Sequence, residues 1–517
     1  MNIDRRLWLL CGTGAASGTG LGLSFAADGW GWLAWFALVP LLLALRRASV
    51  GQAFAAGFGG GLVAAVTTFG WLSVVPAFGG PQFIALGSYV ALYLACWCAG
   101  VALIARQCRS VLVFAPLLWV ALEFVRNHAG FLALPIASLG QSQQAYPAVL
   151  QIAALGGEAS VTWLVVLGNC AIAALFEHRA WRAALAAGAT VAVACGAGAL
   201  VLRADESRDR ITVAAVQPNI GLHERDTAAG RQAVWQRLEQ LTLSAAAHAR
   251  PELIVWPEGA VGDPRHDAEL AGRLAALAAT AKTTLIVGSS ETEKFVVAGD
   301  AGTVVREHDA YNAAYLVQAG APIGEPYRKR RLMPFGEYIP LDGLVSWPRW
   351  LVPPVAQGRA GAQDADFHLA RPLPLRLGMV ICWENLFADL SRDAVRSGAR
   401  MLVQLTNDAW FGPGRAATQH NSASVLRAVE NGVPLVLASN AGPSMLIDAQ
   451  GRVLARTASQ FALETAVAQV TPRRGLTLYT RFGDWFATLC CTVALGGCLA
   501  PRRRKDRYVP STTVAVA

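Results

Sequence analysis

Charged side chains are scarce in this sequence. Asp, Glu, Lys and Arg make up 15% of its 517 residues, whereas a soluble protein carries about 25%. Residues 7–105 are nearly free of charge, but 203–380 have the mixed charge of an ordinary water-soluble domain. Lipid is therefore the predicted solvent for one part of the chain. The net charge of +9 is modest for this length and fits membrane topology better than nucleic-acid binding.

Several chemical signatures are also missing. The eight histidines and ten cysteines form no cluster with metal-ligand spacing, and neither G-x-S-x-G nor a phosphate-binding glycine loop occurs. No histidine is spaced to act as the base of a Cys–His pair, because the nearest candidate, His420, falls in a predicted helix. We therefore predict no metal and no cofactor.

Long apolar runs, in contrast, are abundant. About 17–25 apolar residues cross a bilayer as a helix. The candidate spans are 7–25, 29–45, 53–75, 83–105, 111–126, 160–177, 183–202 and 484–500. The fifth and sixth have the least clear ends, and they contain Glu123 and Asn169. The first can also be interpreted as a signal peptide, but the spans that follow at once favour a retained helix.

The basic residues give an independent test of this count, since cytoplasmic loops are enriched in Lys and Arg. They fall at every second loop, as Arg5/Arg6, Arg46/Arg47, Arg106/Arg109, Arg179/Arg182 and the tail 501–507. The intervening loops at 26–28 and 76–82 have none. This alternation predicts that both termini are cytoplasmic and that the long segment after the seventh span lies on the far side.

The chain is accordingly predicted to have three parts. Residues 1–202 form a bundle of about seven membrane helices, 203–483 form an outer domain, and 484–517 form a last helix with a basic cytoplasmic tail. In the outer domain, short apolar runs end in Gly, Pro, Asn, Asp or Glu and alternate with helical patterns. The predicted strands are 211–219, 253–259, 284–291, 312–318, 377–385, 401–411 and 434–442, and the helices are 231–249, 267–282 and 420–432. This order predicts an α/β fold whose chemistry lies at strand ends.

Cys382 is the only cysteine of the outer domain, because the other nine lie in or against the predicted spans. In lipid, cysteine behaves as a small apolar residue. In an oxidising compartment Cys382 would have no disulfide partner, so it is either a buried structural thiol or a functional one. A thiol with an ordinary pKa is mostly protonated, and a nucleophilic one therefore needs a base or a cation nearby.

Three other strand ends offer such groups. Glu258 follows the apolar run "LIVWP", although an isolated acid there is more often a surface residue. Lys329 lies in "EPYRKRRLMPFGEYIP", where the flanking apolar residues indicate a packed loop, and Glu337 follows in the same loop. The third place is "TNDAWFG" at 406–412.

Read in chain order, these motifs carry a family resemblance. Glu in W-P-E, Lys in Y-x-K-x-x-L-x-P-F-G-E and Cys in I-C-W-E resemble the Glu–Lys–Cys triad of the nitrilase superfamily. Placed between seven upstream spans and one downstream span, they resemble the apolipoprotein N-acyltransferase family over essentially the whole chain. The resemblance implies an αββα sandwich on the periplasmic side of a bacterial inner membrane.

The resemblance also implies roles for single residues. Cys382 would be the nucleophile, Glu258 the general base and Lys329 its electrostatic partner. Glu337 would be a second acid that orders the site. Trp383 and Glu384 would shape the acyl pocket. Two departures from the family pattern are Gly259, where Ser or Thr is usual, and "GLHERD" at 221–226, which lacks a Lys-Trp pair.

The implied reaction moves an acyl chain from a phospholipid, with phosphatidylethanolamine as the expected donor, to the N-terminal amine of a diacylglyceryl-cysteine lipoprotein. The protein is expected to act as a monomer. One alternative is a membrane-tethered amidase or nitrilase that uses the same triad to hydrolyse a soluble substrate. Another is a transporter with a ligand-binding outer domain, which predicts more polar residues inside the spans than Glu123 and Asn169.

The segment "LVSWPRWLVPPV" at 344–355 follows the Lys329 loop. Because tryptophan favours the depth of the lipid headgroups, we expect this segment to enter the membrane interface. A core-packing insertion is the alternative.

Overall fold

A computed structural model describes most of the chain. It covers residues 3–75, 78–107, 110–176, 180–203, 209–299, 302–352, 355, 358–364, 366–370, 374–473 and 476–499. The basic tail at 501–507 and the predicted cytoplasmic residues Arg109 and Arg179 lie outside these ranges.

Helices dominate both ends of the described chain. They are α1 (Ile3–Leu23), α2 (Val39–Leu45), α3 (Val50–Phe69), α4 (Gly80–Arg106), α5 (Val111–Asn127), α6 (Pro147–Leu150), α7 (Ala153–Gly156), α8 (Glu158–Leu175), α9 (Trp181–Val201), α14 (Leu478–Phe482) and α15 (Trp485–Leu499). Four segments of the described residues are long and apolar enough to cross a membrane, namely Val50–Val74, Gly80–Arg106, Glu158–Leu175 and Trp181–Val201. These four coincide with predicted spans. The predicted spans at 7–25, 111–126 and 484–500 are helical in α1, α5 and α15, and their crossing of a membrane stays a prediction.

The prediction of one continuous helix over 29–45 is wrong. A 3₁₀ helix over Trp30–Trp35 is followed by a break and then by the seven residues of α2. Pro40 lies in the first turn of α2, where its missing N–H does no harm. The side chain of Asn169 repairs the break, since its Oδ1 accepts from Leu38 N at 2.9 Å and its Nδ2 donates to Ala34 O at 2.8 Å.

Glu123 has a comparable role at the outer end of the bundle. One of its carboxylate oxygens accepts the backbone N–H of Leu139 at 2.7 Å, and the other accepts the Thr162 hydroxyl at 2.9 Å. Non-helical backbone inside a membrane bundle needs such internal partners because lipid offers none. Glu123 and Asn169, the two polar residues noted in the predicted spans, thus provide hydrogen-bond partners for non-helical backbone of the bundle.

Between α9 and α14 the chain builds two six-stranded sheets. The first has the order β12-β1-β2-β3-β4-β5 and the second has the order β11-β10-β9-β8-β7-β6. Their strands are β1 (Ile211–Gln217), β2 (Leu253–Val255), β3 (Thr284–Gly299), β4 (Gly302–Val317), β5 (Tyr327–Arg328), β6 (Phe367–Leu369), β7 (Leu375–Ile381), β8 (Met401–Thr406), β9 (Leu435–Ser439), β10 (Met445–Ile447), β11 (Val453–Arg456) and β12 (Glu464–Val470).

The two sheets face each other across one apolar core. Val213, Val255 and Ala314 of the first sheet and Met379 and Val403 of the second belong to the same buried cluster. Helices α10 (Ala228–Ala249) and α11 (Ala268–Ala281) cover the outer face of the first sheet. Helices α12 (Ala388–Arg396) and α13 (Ala416–Asn431) cover the outer face of the second. The result is a four-layered α/β/β/α sandwich, the layering implied by the family resemblance.

Five strands of the structure, β5, β6, β10, β11 and β12, lie outside the seven predicted ones. β3 and β4 form a hairpin paired from Leu285↔Val317 to Gly299↔Gly302, so both strands are longer than predicted. β12, which was not predicted, pairs antiparallel with β1 along all seven residues. The end of the domain thus closes against its beginning and returns the chain to the bundle.

Helix α13 joins the sandwich to the bundle. The side-chain amide of Gln419 donates to Phe25 O and Thr68 O, at the ends of α1 and α3. Farther along α13, Glu430 accepts the backbone N–H of Glu158, the first residue of α8, at 2.7 Å. Arg427 lies between these two acids and donates to Glu158 at 2.8 Å. A helix of the α/β domain therefore caps the start of a membrane-length helix.

Candidate active site

Three strand ends converge between the two sheets. Glu258 follows β2, Lys329 follows β5, and Cys382 follows β7 directly. The Lys329 Nζ lies 3.9 Å from Glu258 Oε1, and the Cys382 thiol lies close enough to both groups for their charges to act on its pKa. Residues separated by more than a hundred positions along the chain thus form one cluster, as the motif order predicts.

The Glu258 carboxylate is held from both sheets. Asn312 of β4 donates its side-chain amide to Oε1. The backbone N–H of Asn407, just after β8, donates to Oε2 at 2.8 Å. The predicted "TNDAWFG" segment therefore reaches the site through a backbone group and not through its aromatic side chains. The sequence offered no specific signal for Asn312, since a single amide in a strand does not reveal its partner.

Lys329 is buried with 1% of its side chain exposed, and acids surround it. Its Nζ donates to Glu337 Oε1 at 2.6 Å. The other oxygen of Glu337 accepts the backbone N–H of Met333 at 2.7 Å, which fixes the turn that carries the acid. A buried charge needs such pairing. Glu337 is therefore a second acid in contact with Lys329.

Burial and mutual charge set the protonation of the cluster. Burial raises the pKa of Glu258, and the Lys329 charge only partly opposes it. Burial, followed by the negative charge of Glu258, raises the pKa of the Cys382 thiol well above its usual range. Burial alone would lower the pKa of Lys329, but the charges of Cys382, Glu337 and Glu258 outweigh it and raise that pKa. At rest the Cys382 thiol is therefore neutral and the ammonium group of Lys329 is charged.

This arrangement can activate the thiol without releasing a charge into the core. When the proton moves from Cys382 to Glu258, one negative charge leaves the carboxylate and one appears on sulfur. The total charge of the buried cluster stays the same, so burial opposes this transfer far less than it opposes loss of the proton to solvent. Lys329 is then placed to stabilise negative charge on the sulfur or on a reacting carbonyl oxygen.

The backbone at the nucleophile position is unusual. Cys382 has φ of 52°, in the left-handed region that residues other than glycine seldom adopt. It opens a 3₁₀ turn, Cys382–Leu386, immediately after β7. Strained backbone of this kind persists where the surroundings determine it, and it is frequent at functional sites. Here it marks the change from strand to tight turn at Cys382.

Glu384 lies beneath this turn and is completely buried. It accepts hydrogen bonds from the Tyr327 hydroxyl at 2.7 Å and from the backbone N–H groups of Ile381, Arg330 and Arg331 at 2.7, 2.6 and 3.0 Å. Burial raises its pKa. Its carboxylate thus ties the nucleophile turn to the Lys329 loop, which is a different task from lining an acyl pocket.

Trp383 faces the bundle. Its side chain is 8% exposed and belongs to an apolar cluster with Phe69 and Leu72, at the end of α3, and with Ile136. Met333 of the Lys329 loop packs against the same cluster. The residue next to Cys382 therefore packs against residues at the end of α3.

His420 takes no direct part in this cluster. Its Nδ1 is hydrogen-bonded to Asp408 Oδ1 at 2.9 Å, and the other Asp408 oxygen accepts the Ser439 hydroxyl at 2.9 Å. This buried group braces the loop after β8. Within the described residues, no set of three or more His, Cys, Asp and Glu side chains has the arrangement of a metal site.

The cysteines are distributed as predicted where they are described. Cys382 is in the sandwich, and eight others lie on bundle helices, at Cys11, Cys96, Cys98, Cys170, Cys195, Cys490, Cys491 and Cys498. Cys108 lies outside the described residues. Within the part of the chain that the structure describes, Cys382 is a free thiol.

Two facing sheets with a Glu–Lys–Cys cluster between them define a carbon-nitrogen hydrolase domain, and the family model of that description, Carbon-nitrogen hydrolase, matches residues 212–476. A second family model, Apolipoprotein N-acyltransferase N-terminal domain, matches residues 17–171. The chain belongs to the apolipoprotein N-acyltransferase family.

Relatives support this assignment along the full length. The chain is 34% identical to an apolipoprotein N-acyltransferase of Geobacter metallireducens, over 98% of this chain and 97% of the relative. It is 32% identical to one of Gloeobacter violaceus, over 95% and 94%. Among solved structures, Nit3 of Saccharomyces cerevisiae, a member of the nitrilase superfamily, matches with a TM-score of 0.37 and 17% identity, over 52% of this chain and 93% of that one.

Proposed function

We propose that this protein transfers an acyl chain from a membrane phospholipid, through a thioester on Cys382, to the N-terminal amine of diacylglyceryl lipoproteins. The observation that carries the proposal is the buried cluster of Cys382, Glu258 and Lys329, in which Lys329 Nζ is 3.9 Å from Glu258 Oε1, mounted against the membrane-length helices. Membership of the apolipoprotein N-acyltransferase family supports the same reaction.

In the first half-reaction Glu258 takes the thiol proton, and the Cys382 sulfur attacks the ester carbonyl of the phospholipid. Lys329 and a backbone N–H following Cys382 stabilise the oxyanion. Glu258 returns the proton to the departing alkoxide, so a lysophospholipid leaves and a thioester remains.

In the second half-reaction a neutral primary amine attacks the thioester carbonyl. The C–N bond forms, the C–S bond breaks, and Glu258 carries one amine proton to the sulfur. Glu337 serves by holding Lys329 in place, and Glu384 by holding the Lys329 loop against the nucleophile turn. Trp383 contributes apolar surface between the site and the bundle, where the acyl chain enters.

The topology proposed for the chain follows the basic-loop pattern. Residues 1–202 cross the bacterial inner membrane about seven times, with 29–45 as a broken pass. Residues 203–483 form the periplasmic catalytic domain, and 484–517 return to the cytoplasm. The family matches at 17–171 and 212–476 fall inside the first two parts. We further propose that the protein acts as a monomer and that phosphatidylethanolamine is a donor.

The 344–355 segment combines both roles considered for it. Trp347 is a packing residue, because its indole donates to Pro340 O at 2.7 Å and its ring lies 5.5 Å from that of Phe335. Leu344 and Trp350 are 84% and 66% exposed. We propose that these two side chains enter the lipid interface. Replacing Trp350 by Ser should then weaken vesicle contact, whereas unchanged contact would contradict this role.

The decisive experiment is to incubate purified protein with phosphatidylethanolamine vesicles and to measure the mass of the Cys382 peptide. We expect an acyl adduct that is absent in Cys382→Ala and retained in Cys11→Ala, a matched change of an exposed bundle cysteine. A missing adduct, or one that survives Cys382→Ala, contradicts the mechanism. Adding a diacylated lipopeptide should release the adduct as a triacylated product, and release only as free fatty acid would instead identify a hydrolase.

A further inference from the structure

Asn312 occupies a special position beside the Glu258 carboxylate. It lies near the end of β4, where it shares with Ala314 the face that turns to the second sheet, because alternate residues of a strand point the same way. Its side-chain amide donates to Glu258, and its backbone carbonyl accepts the N–H of Lys329 at 2.8 Å. One strand residue thus contacts two members of the cluster.

The other end of this amide is unpaired. The carboxylate accepts only from the NH₂ group of Asn312, so the orientation of the amide is fixed and its Oδ1 is turned away from Glu258. That oxygen is buried and has no hydrogen-bond partner among the described residues. Buried polar atoms are nearly always paired, and the exceptions call for an explanation.

We propose that Asn312 Oδ1 accepts a hydrogen bond from the acceptor amine during the second half-reaction. This inference rests on the proposed function. An attacking primary amine directs its lone pair at the thioester carbon and has two N–H bonds. One proton passes to Glu258 as the C–N bond forms and the C–S bond breaks. The second N–H stays in the amide product, and it needs an acceptor while it is buried.

The two ends of the Asn312 side chain therefore act in different steps. Its NH₂ group orients Glu258, which is the base in both half-reactions. Its Oδ1 serves only the second, because the alkoxide that leaves in the first half-reaction takes up one proton and has no further hydrogen to place. A purely structural role for Asn312 would slow both half-reactions alike.

The test measures both half-reactions on the full-length protein. Acylation is followed as the rate of adduct formation on Cys382 with phosphatidylethanolamine vesicles, and transfer as the rate of adduct loss after a diacylated lipopeptide is added. In Asn312→Leu, which removes donor and acceptor, transfer should fall about tenfold more than acylation. In Asn312→Asp, which keeps an oxygen toward the amine, the ratio of the two rates should stay close to that of the unmodified protein.

Gln318→Leu is the matched control, because it makes the same amide-to-leucine change just beyond the last residue of β4, six positions from Asn312. It should alter neither rate. Equal slowing of both half-reactions in Asn312→Leu, the same ratio in the Leu and Asp variants, or loss of acylation in both would overturn the role of Oδ1. These outcomes are distinguishable from failure of the proposed function, which would leave the unmodified protein without an adduct.

Discussion

The two outer faces of the sandwich are covered by very different helices. On α10 only five of 22 residues are buried, and all five lie on the face toward the first sheet. On α13, 15 of 16 residues are buried, including Gln419, Arg427 and Glu430. An amphipathic helix needs one apolar stripe when water covers its other side. Helix α13 packs on the bundle as well as on the second sheet. Its polar side chains form hydrogen bonds with backbone groups at the ends of bundle helices.

This difference shows how a soluble type of domain is adapted to a membrane. The apolar residues of α13 still pack on the second sheet, as in any layered fold. Its polar residues bind the end of α3 and the start of α8. On its inner side, His420 O and Ser424 also accept from Asn385 in the nucleophile turn, both at 2.9 Å. One helix therefore links the position of the bundle to that of Cys382.

Among the changes on these two helices, Arg427→Leu on α13 should cause the largest loss of stability. This change leaves Glu158 and Glu430 facing each other in the interior without their cation, and removing one partner of a buried ion pair costs about 3–5 kcal/mol. We expect a large fall in the midpoint of thermal unfolding in lipid nanodiscs. The control is Arg237→Leu on α10, which loses a partly exposed pair with Glu224 and should cost about 1 kcal/mol or less. Equal losses on the two helices would contradict the comparison.

A smaller effect is expected from Gln419→Leu. The variant loses hydrogen bonds to Phe25 O and Thr68 O and leaves the Trp71 indole without its 2.8 Å acceptor. Buried groups left unpaired in this way cost roughly 1–3 kcal/mol in all. Gln232→Leu on α10, whose amide accepts only from Arg273 at 3.3 Å, is the matched control and should be close to neutral. Chemical denaturation of both variants gives the measurement.

Carboxyl groups in the two regions also differ in the direction of their pKa shifts. The hydrogen bond from Arg237 lowers the pKa of Glu224 beside α10, whereas burial raises the pKa of Glu258 between the sheets. Glu258 is a base only when ionised, so the acylation rate should fall as the pH falls through this raised pKa. Below the midpoint the loss is about tenfold per pH unit, equivalent to about 1.4 kcal/mol. A midpoint at or below about 4.3, the value of an exposed glutamate, would refute the assignment.

The smallest loss of stability is expected for a change on the solvent-exposed face formed by α10 and α11. The guanidinium of Arg273 stacks on the Trp235 ring at 4.1 Å, which covers an aromatic residue of α10 from water. Arg273→Ala should cost about 0.5–1 kcal/mol. Acylation of Cys382 should be unchanged, because α10 packs mainly on the first sheet and α11. A loss of acylation without a loss of stability would show that the two faces are coupled.

The cluster of Glu258, Lys329 and Cys382 was predictable because Glu258 and Cys382 close predicted apolar strands and Lys329 lies in a loop whose motif is recognisable. A strand end is a local signal, and Glu258, Lys329 and Cys382 come at such ends in an order that the nitrilase superfamily shares. The predicted strands 211–219, 401–411 and 434–442 likewise contain β1, β8 and β9. Alternation of strands and helices was enough to indicate a layered sandwich.

What could not be predicted depends on partners far away in sequence. The break within 29–45 is stabilised by Asn169, more than a hundred residues later. β12 becomes a strand by pairing with β1, although Glu464–Val470 has no strong apolar pattern of its own. Asn312 is an ordinary strand amide until folding places Glu258 beside it. In each case tertiary contacts, and not local propensity, decide the structure.

The left-handed backbone of Cys382 bears on how inactive forms of this protein should be prepared. A glycine would adopt φ of 52° without penalty, so Cys382→Gly should relieve strain that Cys382→Ala and Cys382→Ser retain. The glycine variant would then resist heat better than the active protein while its turn relaxes. Alanine is the better substitution for trapping a bound lipid, because it removes the sulfur and leaves the backbone at residue 382 in its strained left-handed conformation. At this position stability and catalysis select for different residues.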